Sequence, residues 1–202
     1  AVSQIIPTDR TDRSAKVAQG KTTRSKKPVK TTFTPASGEF RGVWISFQDI
    51  GEKRYTKKQF ENFINKTFDN CKKNGFNAVI VHVRPFADAL YPSSYFPWSR
   101  YVSGKAGKHP GFDPLSYAVS AAHKRGLAFH AWINPYRIAS NTTNVYKLPK
   151  KSIARKWAVS KKASKRRNVL KWDGKLYFNP ASKDVQNLVC NGVREIVRDY
   201  AV

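Results

Sequence analysis

The 202-residue chain has two cysteines, no methionine and only 13 Asp and Glu. Cys71 and Cys190 lie far apart without CxxC or Cys/His spacing, which excludes the common zinc and thiol-redox motifs and predicts two buried free thiols on amphipathic helices. The longest apolar runs, such as residues 78–83, fall far short of the roughly 20 residues that a helical membrane span needs. GxSxG, HExxH, P-loop and GxGxxG patterns are all missing, so no nucleotide, dinucleotide or metal site is expected and no cofactor is assigned. The scarcity of acids narrows the chemistry further. Asp9 and Asp12 fall in an N-terminal tail, Glu61, Asp69, Glu195 and Asp199 on helices, Asp113 and Asp184 at helix starts, and Asp173 in a basic stretch; Glu39 precedes the first strand. Asp49, Glu52 and Asp88 are left, and Asp88 is the best placed.

Basic and aromatic residues are abundant. Lys and Arg number 38, for a formal charge of +25, and a charge of this size attracts polyanions. Nothing at the N-terminus has the apolar core of a signal peptide, while the opening at Ala1-Val2, without an initiator methionine, is that of a processed or trimmed protein, which permits export. Residues 1–38 are rich in Thr, Ser, Lys and Arg and hold a single aromatic, so they read as a disordered basic linker or tail. The folded domain is expected to run over 39–202.

Within it, apolar runs alternate with helical periods. Strands are expected at 41–47, 77–84 and 127–134, and a helix at 57–73, where Phe60, Phe63, Ile64, Thr67, Phe68 and Cys71 form one stripe before Gly75. Asp113 caps a second helix with Pro114 at its first position, and Gly126 closes it. A long loop, 85–112, carries Pro, Gly, Ser and aromatics, a length that signals function. Residues 135–180 read as irregular; their centre, 147–175, holds twelve Lys/Arg and one acid and is either a mobile excursion or a basic surface. A last helix opens at Ser182 with the stripe Val185, Leu188, Val189, Gly192, Val193, Ile196 and Val197, and Ala201-Val202 would begin a fourth strand. This order predicts βαβ units and a parallel sheet, either a small open sheet or the first half of a barrel.

Strand parity locates a site. Odd positions are apolar throughout, whereas even ones bear Trp44, Ser46, His82, Arg84, His130, Trp132 and Asn134. A parallel strand buried on both faces would be apolar at both parities, so the even face is expected to line a site at the strand C-termini. Arg84 and Asp88 form either a guanidinium and carboxylate at that mouth or a structural pair fixing the loop. In Asn134-Pro135-Tyr136-Arg137 the amide can hold a hydroxyl while Tyr136 and Arg137 reach the same mouth, unless the segment is a simple turn. His123 is assigned a structural place at a helix end and His109 none. Trp44, Trp98 and Trp132 suit sugar rings, and they suit unpaired bases as well.

Six blocks in order carry a resemblance: Glu39-Phe40-Arg41-Gly42-Val43-Trp44-Ile45, Asn77 to Pro85, Asp88-Ala89-Leu90-Tyr91-Pro92-Ser93, Pro97-Trp98-Ser99, Gly111-Phe112-Asp113-Pro114-Leu115, and His130 to Arg137. Together they resemble the glycosyl hydrolase-like 10 family of bacterial cell-envelope barrels. The resemblance implies an α/β chain forming the N-terminal half of a (β/α)8 TIM barrel, about three βα units plus the start of strand four. It implies hydrolysis of glycan strands, with peptidoglycan lacking its stem peptides as substrate, by carboxylate acid/base catalysis. It also implies that the principal acids follow strand four, in a stretch resembling Asp-Gly-Ile-His-Phe-Asp-Asp-Tyr, whereas the sequence here ends at Val202. On this reading Asp88 is the catalytic carboxylate within the chain. Arg84, Asn134, Tyr136 and Arg137 orient the sugar, and Trp44, Trp98, His130 and Trp132 complete the binding surface.

The expected partners are cell-wall glycan and, through the basic tail, anionic wall polymers, outside the bacterial cytoplasm or in its envelope. Lys and Arg are not interleaved with the aromatics near Trp98 and Trp132, which argues against nucleic acid. The alternatives are a basic nucleic-acid-binding module and a non-catalytic carbohydrate-binding module.

Overall fold

A computed structural model describes residues 38–202, so the expected tail lies, but for Gly38, outside the described residues. Strands β1 (Gly42–Ile45), β2 (Ala78–Arg84) and β3 (Ala128–Ile133) form a parallel sheet in the order β1-β2-β3. The connecting helices are α2 (Lys57–Lys73) and α4 (Pro114–His123). Right-handed crossovers between successive neighbouring strands put both helices on one face. Their contact is tied by Arg125, which donates to Asp69 at 2.7 Å, and by Asn65, which donates to the Tyr117 hydroxyl at 2.8 Å.

Local chemistry sets these bounds. The Thr56 hydroxyl accepts from the Gln59 amide while the Gln59 side chain accepts from the Thr56 amide, a reciprocal cap that starts α2. Asp113 accepts from Ser116 to start α4, with Pro114 in its first turn. Strand β1 is shorter than the expected 41–47, because Ser46 and Asp49 make a second such box and open the short helix α1 (Phe47–Ile50). Phe47 is therefore outside the strand alternation.

Three further expectations are corrected. The loop of residues 85–112 contains the helix α3 (Arg100–Ser103). The segment 135–180 is ordered: β4 (Arg137–Ala139), β5 (Val169–Trp172) and β6 (Lys175–Phe178) form an antiparallel sheet in the order β4-β6-β5, joined through α5 (Ile153–Ala158) and α6 (Ala163–Arg166). Ile138, Ala154, Leu176 and Phe178 are buried in the same hydrophobic core as the parallel sheet, and that burial holds the basic excursion in place. Ala201-Val202 forms no strand.

The last helix, α7 (Lys183–Asp199), buries Val185, Leu188, Gly192, Glu195 and Ile196. Val193 and Val197 are exposed, as is Cys190, so only Cys71 of the two thiols is in the core. Ser182 stands at the N-cap position, but its hydroxyl donates to Asn168 at 2.6 Å instead of capping. No helix among the described residues is long and apolar enough to cross a membrane.

Candidate functional site

The odd strand positions Ile45, Val79, Val81 and Phe129 are buried on the helix side, so Trp44, His82, His130 and Trp132 occupy the other face. Trp132 stacks on His82 with ring centroids 3.5 Å apart and planes 5° from parallel. Trp44, 60 % exposed, meets Trp132 edge-on at 4.8 Å, and Phe47 covers His82 at 5.4 Å. His130, exposed, lies edge-on to Phe40 at 5.4 Å. The result is an aromatic floor open on its Trp44 side.

His82 is buried with neither ring nitrogen hydrogen-bonded. Burial first, then the charge of Arg137, pushes its pKa down to about 4, against the opposing effect of the Asn134 side chain. The ring is neutral near pH 7 and acts as a flat apolar plate under Trp132. Asn134 sits at the end of the floor, where its side-chain amide donates to the Pro85 carbonyl at 2.9 Å and its backbone N–H donates to the Arg84 carbonyl at 2.9 Å. Its donors therefore hold the exit of β2, and its side chain also lies beside the His82 ring. Tyr136 and Arg137 are exposed beside it, with the Tyr136 carbonyl accepting from Phe178 at 2.7 Å.

Arg84 is not at this mouth. Register runs His82↔Trp132 and then Arg84↔Ile133, so a bulge at the end of β2 turns Arg84 to the helix side. There it is 1 % exposed, its guanidinium 4.4 Å from the Phe96 ring and both Nη atoms without a hydrogen-bond partner. The backbone of Gly192 in α7 passes so close that a Cβ there would lie 2.4 Å from Nη1. Burial pulls the Arg84 pKa down, while Tyr91, Glu195 and Asp88 nearby favour its charge. Glu195, 3 % exposed, accepts from the Ser93 hydroxyl at 2.5 Å and the Ser94 amide at 2.6 Å, which ties the loop after β2 to α7. Arg84 thus supports the loop from beneath and does not face the open side of the sheet.

Asp88 lies elsewhere again. It lines a cavity of about 290 Å³ between that loop and the antiparallel sheet, with Arg100, Ser140, Asn141, Lys147 and Ser152 among the walls. The Phe86 amide donates to its Oδ1 at 3.2 Å. Burial pushes the carboxyl up to about 6, a rise that Ser99, the Phe86 amide, Arg100 and Arg84 only partly oppose. A carboxyl that keeps its proton to near neutrality and opens on a cavity, here a largely apolar one, can act as a general acid. Arg100 pairs with the exposed Glu52 at 3.3 Å. Trp98 stands apart from the floor, paired through its backbone with Ala89 and edge-on to His109 at 4.8 Å.

Of the expected residues, the structure gathers Trp44, Trp132, Asn134, Tyr136 and Arg137 along one side, with His130 on the same sheet face. It separates Arg84, Asp88 and Trp98 from them. His82 is expected on the site-lining face but given no role of its own, and Glu195 reads only as a helix acid. His82 shares strand parity with Trp132, and Glu195 falls seven residues after Leu188, on the buried stripe of α7, so both had a periodic signal. Among the described residues no group of three His, Cys, Asp or Glu side chains could hold a metal ion.

The family profile described as Glycosyl hydrolase-like 10 matches residues 39–202. Glycosyl hydrolase YngK of Bacillus subtilis (strain 168) is 40% identical over 172 residues, which cover 81% of this chain and 31% of the relative. Glycosyl hydrolase DigH of Escherichia coli (strain K12) is 30% identical over 187 residues, 87% of this chain and 42% of the relative, and the DigH of Shigella flexneri matches equally. The matched part of the chain therefore spans 31% to 42% of the length of these curated relatives.

Proposed function

The chain belongs to the glycosyl hydrolase-like 10 family, and from that premise we propose that it forms the first three βα units of a (β/α)8 barrel that cleaves glycan strands of the bacterial cell wall. The observation that carries this reading is the floor of Trp44, Trp132 and neutral His82 on the face opposite the helices. Sugar rings stack their C–H faces on such planes, while Asn134 and the exposed Arg137 are the polar groups at the edge. Sheet order 1-2-3 with helices on one face supports the wall of a barrel rather than a doubly wound sheet.

Cleavage needs a proton donor at the leaving oxygen and a second carboxylate as base or nucleophile, roughly 5–9.5 Å away. Asp88, with its carboxyl pushed up to about 6, is the donor candidate within this chain, and its cavity lies apart from the floor, so it would act on a part of the glycan beyond the stacked ring. The second carboxylate is the one that the family resemblance places after strand four, and the matched regions cover only 31% and 42% of the relatives. The substrate is peptidoglycan freed of its stem peptides, which places the protein outside the cytoplasmic membrane. The basic residues of the N-terminal segment hold it to anionic wall polymers there.

The test is cosedimentation of the 202-residue chain with stem-peptide-free peptidoglycan. Binding is expected to persist at moderate salt and to fall when Trp132 is replaced by Ala. DNA binding is expected to collapse with a steep salt slope. Tight DNA binding at physiological salt, with no retention on glycan, overturns the reading in favour of a nucleic-acid module.

A further inference from the structure

The antiparallel sheet has two unlike faces. One buries Leu176 and Phe178. On the other, the register sets Arg137 opposite Tyr177, Tyr177 opposite Leu170, and Lys175 opposite Trp172, so these five side chains share one side. Trp172 is 69 % exposed and Leu170 41 %. The rings of Trp172 and Tyr177 stand 6.3 Å apart and tilted, which makes a second aromatic platform.

The platform is held rigidly. β5 and β6 are joined by Asp173 and Gly174, both at positive φ, the arrangement of a tight two-residue hairpin turn, and Asp173 accepts from Lys175 across it. Arg137, at the inner end, makes no ion pair among the described residues. It also lies close enough to His82 for its charge to depress that imidazole. Arg137 follows Ile133 of the parallel sheet by four residues and pairs with Tyr177 of the antiparallel one, so it joins the floor to the second platform. The surrounding segment is strongly basic, with twelve Lys/Arg against one acid over residues 147–175.

We propose that this face is a second glycan subsite, one that takes a carboxylate-bearing stretch of the same strand bound at the floor of Trp44 and Trp132. The sugar ring lies on Trp172 and Tyr177 while its carboxylate is met by Arg137, a match of aromatic plane and cation that a neutral sugar would use only in part. The inference rests on the reading that the floor binds glycan.

The experiment measures binding of the 202-residue chain to two probes at two lengths, neutral N-acetylglucosamine oligomers and stem-peptide-free peptidoglycan strands, which carry one lactyl carboxylate per disaccharide. Trp172→Ala is expected to weaken long carboxylate-bearing strands about tenfold, the equivalent of roughly 1.4 kcal/mol, and to leave the shortest oligomers unchanged. Arg137→Gln is expected to abolish the preference for the carboxylate-bearing series. Trp172 is exposed and outside the core, so unchanged far-UV circular dichroism is expected for its variant. Wild-type binding with no loss in Trp172→Ala overturns the subsite and leaves the floor standing. Equal losses on duplex DNA and on glycan overturn it as well, as a mere polyanion surface. No wild-type binding to either glycan defeats the underlying reading itself.

Discussion

Replacing Gly192 with Ala tests whether Arg84 is buried beneath α7. Gly192 sits in the interior of that helix without a positive φ, so on propensity alone the change should stabilise by about 1 kcal/mol. The structure argues for the opposite sign. The new Cβ would lie 2.4 Å from Arg84 Nη1 and 2.7 Å from Phe96 Cε2. Neither neighbour has an easy escape, because Arg84 and Phe96 are both buried and the guanidinium is already on the Phe96 ring. Overpacking of a filled site costs about 1–3 kcal/mol, and here two groups must move, so the upper half of that range applies. Less the propensity gain, the net loss is about 1–2 kcal/mol. For a chain of this size that lowers Tm by about 2–8 °C, measurable by thermal and urea denaturation followed by circular dichroism. In an Arg84→Met background the same change should cost much less, a coupling that a double-mutant cycle isolates. A Gly192→Ala protein as stable as wild type or more so, with no coupling to position 84, would refute the burial of Arg84 under α7.

Two titrations follow from the same packing. Asp88 has a carboxyl near 6 in the folded chain against an ordinary value of 3.8, so between those values the unfolded chain gives up a proton that the folded one keeps. Stability should therefore fall as pH rises from about 4 to 6 and then level off. Asp88→Asn should remove this penalty and stabilise by up to about 3 kcal/mol at pH 7 and by nothing from this source below pH 4; urea melts showing a pH-independent effect would contradict it. His82 works in the other direction. With the folded imidazole near 4 and the ordinary value at 6.5, the unfolded chain binds the proton first, and stability should decline as pH falls from 6.5 towards 4. The His82 ring proton in an NMR titration should stay flat from pH 8 to about 5, and a midpoint near 6.5 would show that the ring is neither buried nor beside Arg137.

Regular local signals made the parallel sheet and its two helices legible. The bounds of α2 coincide with its apolar stripe because the Thr56 and Gln59 box and Gly75 close both ends. Asp113 and Pro114 mark α4 in the same way. The placement of Arg84 was not legible, since parity assumes unbroken alternation and one extra residue at the end of β2 reverses it. Residues 135–180 failed for a different reason. Their strands are three or four residues long, too short to show a period, and the sheet exists through the tertiary burial of Ile138, Leu176 and Phe178.

That same segment changes what the charge means. On composition, the twelve cations of residues 147–175 are an accessory to the domain, separate from any site. Once folded, the segment that carries them is anchored by a sheet that begins at Arg137, three residues after Asn134 at the end of the floor, and its Lys147 and Ser152 help wall the cavity that Asp88 lines. Burial first and Arg137 at the head of that sheet second depress His82, and burial raises the carboxyl of Asp88 against Ser99, the Phe86 amide, Arg100 and Arg84. Loosening the antiparallel sheet should therefore let the pKa of His82 rise and that of Asp88 fall together. Two independent sites would not respond in this linked way, and a shift at His82 with none at Asp88 would confine the segment's influence to the floor.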